Sequence, residues 1–237
     1  MHSTKDNLEV LFEDNHLVIV NKKSGDIVQG DKTGDKPLSD VVKEYIKEKY
    51  NKPGEVFLGV VHRLDRPTSW IIIFARTSKA LERLNKMLRD RLISKTYWAV
   101  IKNNPKKAKD SLIHFLKKNP KNNKSTVFKK ETKGSKKATL HYTTIKILEN
   151  YSLLEIDLET GRHHQIRAQL SFIGSSIKGD LKYGASRSNK DGSIHLHARK
   201  INFTHPVSKK IITIIAPTPN EVIWNACMEW LYLELLF

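Results

Sequence analysis

The segment His62-Arg63-Leu64-Asp65 places a carboxylate two residues from an arginine within a polar run. A neighbouring guanidinium favours the ionised carboxylate, and an ionised carboxylate can serve as nucleophile or base. The same spacing also suits an ordinary surface ion pair, so taken alone it leaves both readings open. A second group is Thr160-Gly161-Arg162-His163-His164-Gln165-Ile166-Arg167. On a helix expected from His163 to Ile173, His163 and His164 lie four and three positions before Arg167 and share a face with it. Together with Gln165 they make an anion site on the first helical turns. A metal reading fits poorly, because adjacent histidines diverge on a helix and no carboxylate stands at ligand spacing. His195 and His197 share a strand face and read as buried hydrogen-bonding groups rather than a metal pair. The third group, Lys95-Thr96-Tyr97-Trp98-Ala99-Val100, has the make-up of an aromatic core strand. There is no glycine-rich phosphate loop and no Ser-His-Asp pattern.

These groups need elements to hold them. Val56 to Val61 and Trp70 to Ala75 are β-rich runs, so the polar stretch His62 to Ser69 is expected as a loop between strands. Leu8 to Phe12 and Leu17 to Asn21 read as a strand pair turning at Glu13-Asp14-Asn15. Further strands are expected at Thr96 to Ile101, around Leu154, Ile156 and Leu158, and at Ile211 to Ala216. Helices are expected at Pro37 to Tyr50, with Leu38, Val41, Val42, Tyr45 and Ile46 at helical spacing, and from a Ser78 cap through Leu92. Gly174 stands where the cap of the His163 helix belongs, and Glu221 to Phe237 reads as a last, apolar helix. Strands predominate among scattered helices, which predicts an α+β fold on a mainly antiparallel or mixed sheet.

Composition sets the partner class. Lys plus Arg is 42 against 25 for Asp plus Glu, a formal charge of +17 on 237 residues. Such a surplus suits a polyanion, whose counterions the cations displace, although solubility alone also accounts for it. Lys102 to Lys137 holds thirteen lysines and reads as a solvated hairpin or loop, the natural place for phosphate contacts if RNA binds. Cys227 is the only cysteine, so no intramolecular disulfide and no cysteine metal site is available. Met1 to Glu9 carries no apolar run of signal length, and the longest apolar stretch, Trp70 to Ala75, is too short to span a bilayer. A cytoplasmic protein is expected.

The order of the pieces resembles the RluA family of RNA pseudouridine synthases, over nearly the whole chain. Leu11-Phe12-Glu13-Asp14-Asn15-His16-Leu17 resembles the family's opening strand pair, and His62 to Ser69 its catalytic loop. Lys95 to Val100 is similar to its tyrosine motif, and Thr160-Gly161-Arg162 with His164 to Arg167 to its arginine motif. Gly179-Asp180, Tyr183-Gly184, Leu196-His197-Ala198 and His205-Pro206 follow in the family's order. Trp70 stands where the family has glycine, Lys23 where it has proline, and Ser175-Ser176 where it has His-Pro.

The resemblance implies a single catalytic domain over residues 1–237, with a lysine-rich insert at about 102–137 and no preceding S4 domain. It implies isomerisation of uridines in rRNA or tRNA. Asp65 becomes the nucleophile, Tyr97 packs on the base and serves as general base, and Arg167 pairs with Asp65. Arg63 helps to hold the extruded nucleotide, and His62, Arg162, His164 and Gln165 line the substrate site. The rearrangement needs no cofactor and no metal, and the protein is expected to act as a monomer, away from membranes.

Overall fold

A computed structural model describes residues 2–31 and 33–234, with side chains through residue 229. In chain order the first elements are β1 (Val10–Glu13), β2 (Leu17–Lys22), α1 (Leu38–Lys49), β3 (Gly59–Val60), β4 (Ser69–Ala75) and α2 (Ser78–Arg89). Then come β5 (Ser94–Lys102), β6 (Lys109–Asn119), β7 (Lys124–Phe128), β8 (Lys136–Ile147), β9 (Tyr151–Leu158) and α3 (Gln165–Phe172). The last are β10 (Leu196–Thr204), β11 (Ile211–Ile215) and α4 (Val222–Glu234). The fold is α+β on a mixed, mostly antiparallel sheet, and β1–β2, β2–β4, β3–β4, β5–β9, β9–β8, β8–β6 and β6–β7 are antiparallel pairs. The chain divides into two compact units, Met1–Lys95 with Ala198–Pro217, and Thr96–His197 with Thr218–Phe237.

In the first unit β1 pairs with β2, and β2 with β4. Asp14 makes the turn expected there, its Oδ1 accepting from the His16 and Leu17 amides at 2.8 and 2.7 Å. Every residue of β4 is buried; the strand lies between β2 and β10, and α2 packs on it. The strand expected over Val56 to Val61 contracts to Gly59–Val60, which pair with Ala75 and Phe74, and Phe57 is left 50% exposed. A Cβ on Gly59 would lie 2.7 Å from the Leu81 side chain, so α2 can press on this strand only where there is none. The cap of α2 is Thr77 rather than Ser78: its Oγ1 accepts from the Ala80 amide at 3.2 Å. The helix stops at Arg89, short of Leu92, where the backbone turns left-handed at Arg91 (φ 58°).

The second unit is a sheet in the order β5-β9-β8-β6-β7. The lysine-rich segment forms β6, β7 and the start of β8, a hairpin as expected. α3 packs on β6 and β7, with Leu116, Ala138, Ala168 and Tyr183 buried together. α4 fits the expected final helix, the last three residues of that expectation lying outside the described ones. Its Trp224 and Cys227 are buried against Trp98, Val100 and Leu153. Among the described residues no helix is long and apolar enough to cross a membrane.

Candidate active site

The loop that carries Asp65 joins the antiparallel strands β3 and β4, and the backbone groups that shape it are held one by one. The Asp65 carbonyl accepts from the Thr68 amide at 3.2 Å and the Thr68 hydroxyl at 2.6 Å. The Arg66 carbonyl accepts from the Gly25 amide at 2.9 Å, and that of Pro67 from the Ser24 hydroxyl at 3.1 Å. The Lys22 ammonium completes the set, donating to the carbonyls of Thr68 (2.8 Å), Lys23 (3.0 Å) and Arg66 (3.2 Å). Lys22 is wholly buried at the end of β2, opposite Trp70 on β4. Burial pushes its pKa down to about 8, although the nearby Asp26 and Asp65 carboxylates act in the opposite direction.

His62 faces inward. Its Nε2 accepts from the Ile73 amide of β4 at 3.2 Å, which puts the ring proton on Nδ1, a buried atom with no partner among the described residues. Burial, aided by the Lys95 cation, pushes its pKa down to about 3, so the ring is neutral. The imidazole is thus engaged with strand backbone. Arg63 is exposed, and Asp65 is half-buried. Arg66 pairs with Asp35 at 2.5 Å.

In the second unit the arginine segment departs from the expected helix. α3 begins at Gln165, two residues later than read from sequence, because His164 takes a left-handed backbone (φ 52°) at the cap position. His163 and His164 therefore do not share a helical face with Arg167. Their rings stack at 3.8 Å instead of diverging. His163 Nδ1 and the Ser125 hydroxyl are 2.9 Å apart, and His164 Nδ1 and the Tyr183 hydroxyl are also 2.9 Å apart.

Gln165 is 2% exposed and holds the segment's entry. Its Oε1 accepts from the Arg162 amide (2.9 Å) and the Thr160 hydroxyl (2.8 Å), while its Nε2 donates to the Thr139 carbonyl (3.0 Å). Its side chain is therefore turned into the protein. Arg162 donates from Nε to the Lys137 carbonyl at 2.9 Å.

Arg167 is buried and forms a fork with Asp180, Nε to Oδ2 at 2.7 Å and Nη2 to Oδ1 at 2.8 Å. Its guanidinium lies 5.1 Å from the centre of the Tyr183 ring. The Tyr183 oxygen also accepts from the Ser125 amide at 2.7 Å, which ties the tip of the β6–β7 hairpin to this cluster. Asp180 and Tyr183 enter the sequence reading only as family landmarks, and their contact with Arg167 has no local signal, since it bridges 13 residues or more. Tyr97 lies on β5 opposite Ile156 of β9, and burial raises the pKa of its phenol, so the hydroxyl is neutral. His195 and His197 are buried against Trp224, with ring centres at 5.3 and 5.9 Å, and His195 Nε2 stands 2.8 Å from Glu221. They are hydrogen-bonding and packing groups of the kind expected.

Residues 16–172 match the family model of RNA pseudouridylate synthases. An RNA pseudouridine synthase of Synechocystis is 32% identical over 90% of this chain and 66% of its own length. The ribosomal large subunit pseudouridine synthase D of Zymomonas mobilis is 32% identical over 91% and 70%. The chain thus spans about two thirds of the curated relatives it matches. In fold it is similar to the human RNA pseudouridylate synthase domain containing 4, with a TM-score of 0.76 at 22% identity over 93% of this chain and 92% of that one.

Proposed function

Since the chain belongs to the RNA pseudouridylate synthase family, we propose that it isomerises particular uridines of rRNA or tRNA to pseudouridine, with Asp65 as nucleophile. The observation that carries this reading is the anchored loop. An exposed arginine and a half-buried carboxylate stand on a turn whose carbonyls from Asp65 to Thr68 all have donors. Asp65 attacks either ribose C1′, displacing N1 and forming an ester, or uracil C6, forming an adduct from which the N1–C1′ bond then breaks. The uracil turns, C5 bonds to C1′, and the bond to Asp65 breaks with its electron pair returning to the carboxylate. The proton leaves C5 for solvent and N1 takes one up, so atoms and charge balance with no redox partner.

A base inside a helix cannot present its glycosidic bond, so the target is flipped out, and Arg63, which is exposed, helps to hold it out of the stack. Tyr97 packs on the base. Arg167, fixed by Asp180, supplies the positive charge that keeps the nucleophile ionised and aimed. The proposed setting is the cytoplasm.

The test is tritium release from RNA labelled at uridine C5. Wild-type protein should release it from total rRNA or tRNA of its own cell, and Asp65→Ala should release none. A second reading, an RNA-binding protein without catalysis, draws on the basic hairpin. It requires salt-dependent RNA binding with no release by the wild type.

A further inference from the structure

The outer face of the β6–β7 hairpin has features that the isomerisation leaves unused. Partners across antiparallel strands project to the same face, and neighbours along a strand alternate. Leu116 and Val127 are partners, and both pack inward with Ala138, Ala168 and Tyr183. The next rung, Phe115 opposite Phe128, therefore projects outward, and on β8 the partner of Phe115 is Lys137. Lys117, opposite Thr126, follows on the same face. Its ammonium donates to the Lys133 carbonyl at 3.0 Å and retains further donors. Both phenylalanines are partly exposed, Lys117 and Lys137 are exposed, and Ile113 on this face is 53% exposed.

The face is also electrically divided. Followed across the sheet to β9, it carries Glu155 and Asp157, which accept from Trp98 Nε1 (3.2 Å) and the Thr96 hydroxyl (2.9 Å). Carboxylates thus occupy the β9 side, and lysines flank the aromatic rung on the β6–β7 side. A polyanion is drawn to the latter and repelled from the former.

We propose that the Phe115–Phe128 rung is a stacking platform for unpaired bases of the RNA, with Lys117 and Lys137 engaging the phosphates beside them. Aromatic rings on a strand surface bind base faces with little regard to sequence. Paired bases already stack on each other, so the platform selects single-stranded stretches flanking the target. The inference rests on RNA being the substrate, and it adds where on this chain single-stranded RNA is gripped. A cross-strand aromatic pair that only stabilises the hairpin would make no distinction between RNA with and without bases.

The experiment is fluorescence anisotropy with a labelled oligouridylate, an abasic ribose-phosphate strand of equal length, and a hairpin duplex. Each of Phe115→Leu and Phe128→Leu should weaken oligouridylate binding about tenfold and leave the duplex within about twofold, while Phe115→Tyr retains affinity. Each of Lys117→Ala and Lys137→Ala should lower the log–log salt slope by about 0.7. Equal binding of oligouridylate by wild type and the folded double leucine variant overturns the proposal. So does equal binding of the abasic and base-bearing strands by wild type, a comparison that needs no variant to fold. If wild type forms no pseudouridine yet the leucine variants lose affinity, the enzymatic reading fails and the platform stands. Normal turnover with unchanged affinity in those variants overturns the platform and leaves the enzymatic reading standing.

Discussion

Replacing Lys22 with methionine keeps the length and apolar stem of the side chain but removes the ammonium that holds the carbonyls of Lys23, Arg66 and Thr68. In the folded protein the lysine titrates at about 8, against 10.5 for the unfolded chain. Its folded pKa is depressed, so between these values the unfolded chain binds more protons, and wild-type stability rises with pH across that window. The full span corresponds to about 3 kcal/mol, of which about 2 kcal/mol falls between pH 7 and 9.5. The Lys22→Met variant lacks this term. Urea unfolding of both proteins at several pH values should therefore show wild type gaining about 2 kcal/mol on the variant from pH 7 to 9.5. At any one pH the difference also contains the lost hydrogen bonds, but only the ammonium makes it vary. A difference that stays constant over this range would refute the buried, shifted lysine. The freed loop should also slow pseudouridine formation about a hundredfold with RNA affinity retained, since misplacement of reacting groups by about 1 Å costs that much.

His62, titrating at about 3 when folded against 6.5 for a solvated imidazole, stabilises the fold above pH 6.5 and loses that contribution as pH falls. Against His62→Gln, the wild type should lose about 3 kcal/mol by pH 4.5 in urea titrations, and parallel curves for the two proteins would refute the neutral buried ring. Asp180→Asn leaves the Arg167 charge buried with half its fork neutralised, and should lower unfolding free energy by about 3–5 kcal/mol. The apolar pair Arg167→Met with Asp180→Leu should recover most of that loss while forming no pseudouridine; failure to recover would mean the pair is not what the fold depends on. Tyr97→Phe keeps the ring and removes the hydroxyl. Turnover should fall about 10²–10⁴-fold with RNA affinity within about twofold, and an unchanged rate would confine Tyr97 to packing.

The loop from His62 to Ser69 was legible because a polar run between two β-rich runs has few alternatives, and β4 proved continuous and buried where its sequence is Trp-Ile-Ile-Ile-Phe-Ala. The stripe of α1 was legible for the same reason, that periodicity records one buried face. Lys22 was not. A lysine at the end of a strand reads as a solvated terminus, and its acceptors are backbone carbonyls, 44 and 46 residues away for Arg66 and Thr68, which leave no trace in side-chain types. The start of α3 is not legible because the positive φ of His164 leaves no firm sequence mark: histidine is enriched there, yet only a small minority of non-glycine residues adopt it. Gln165 looked like part of an anion site and turned inward once the helix began at that residue. The outward Phe115–Phe128 rung depends on strand register, and composition showed only the surrounding lysines.

The side chains around the two charged groups divide by what they hold. Lys22, Ser24 and Thr68 are spent on the carbonyls of the Asp65 loop, and Gln165 on Arg162, Thr160 and Thr139, while Asp180 fixes the Arg167 fork. None of these needs to touch RNA to matter. Their loss lets the reacting groups wander, which raises the barrier more than it weakens binding, so kcat should fall with KM little changed. The side chains of Phe115, Phe128, Lys117 and Lys137 are opposite in kind. They hold no backbone of either segment, and an oligonucleotide resting on them gains the same contact before and at the transition state. That is uniform binding, whose loss raises KM and spares kcat. The split between these parameters therefore tests the assignment of each residue separately, whichever atom of the uridine Asp65 attacks.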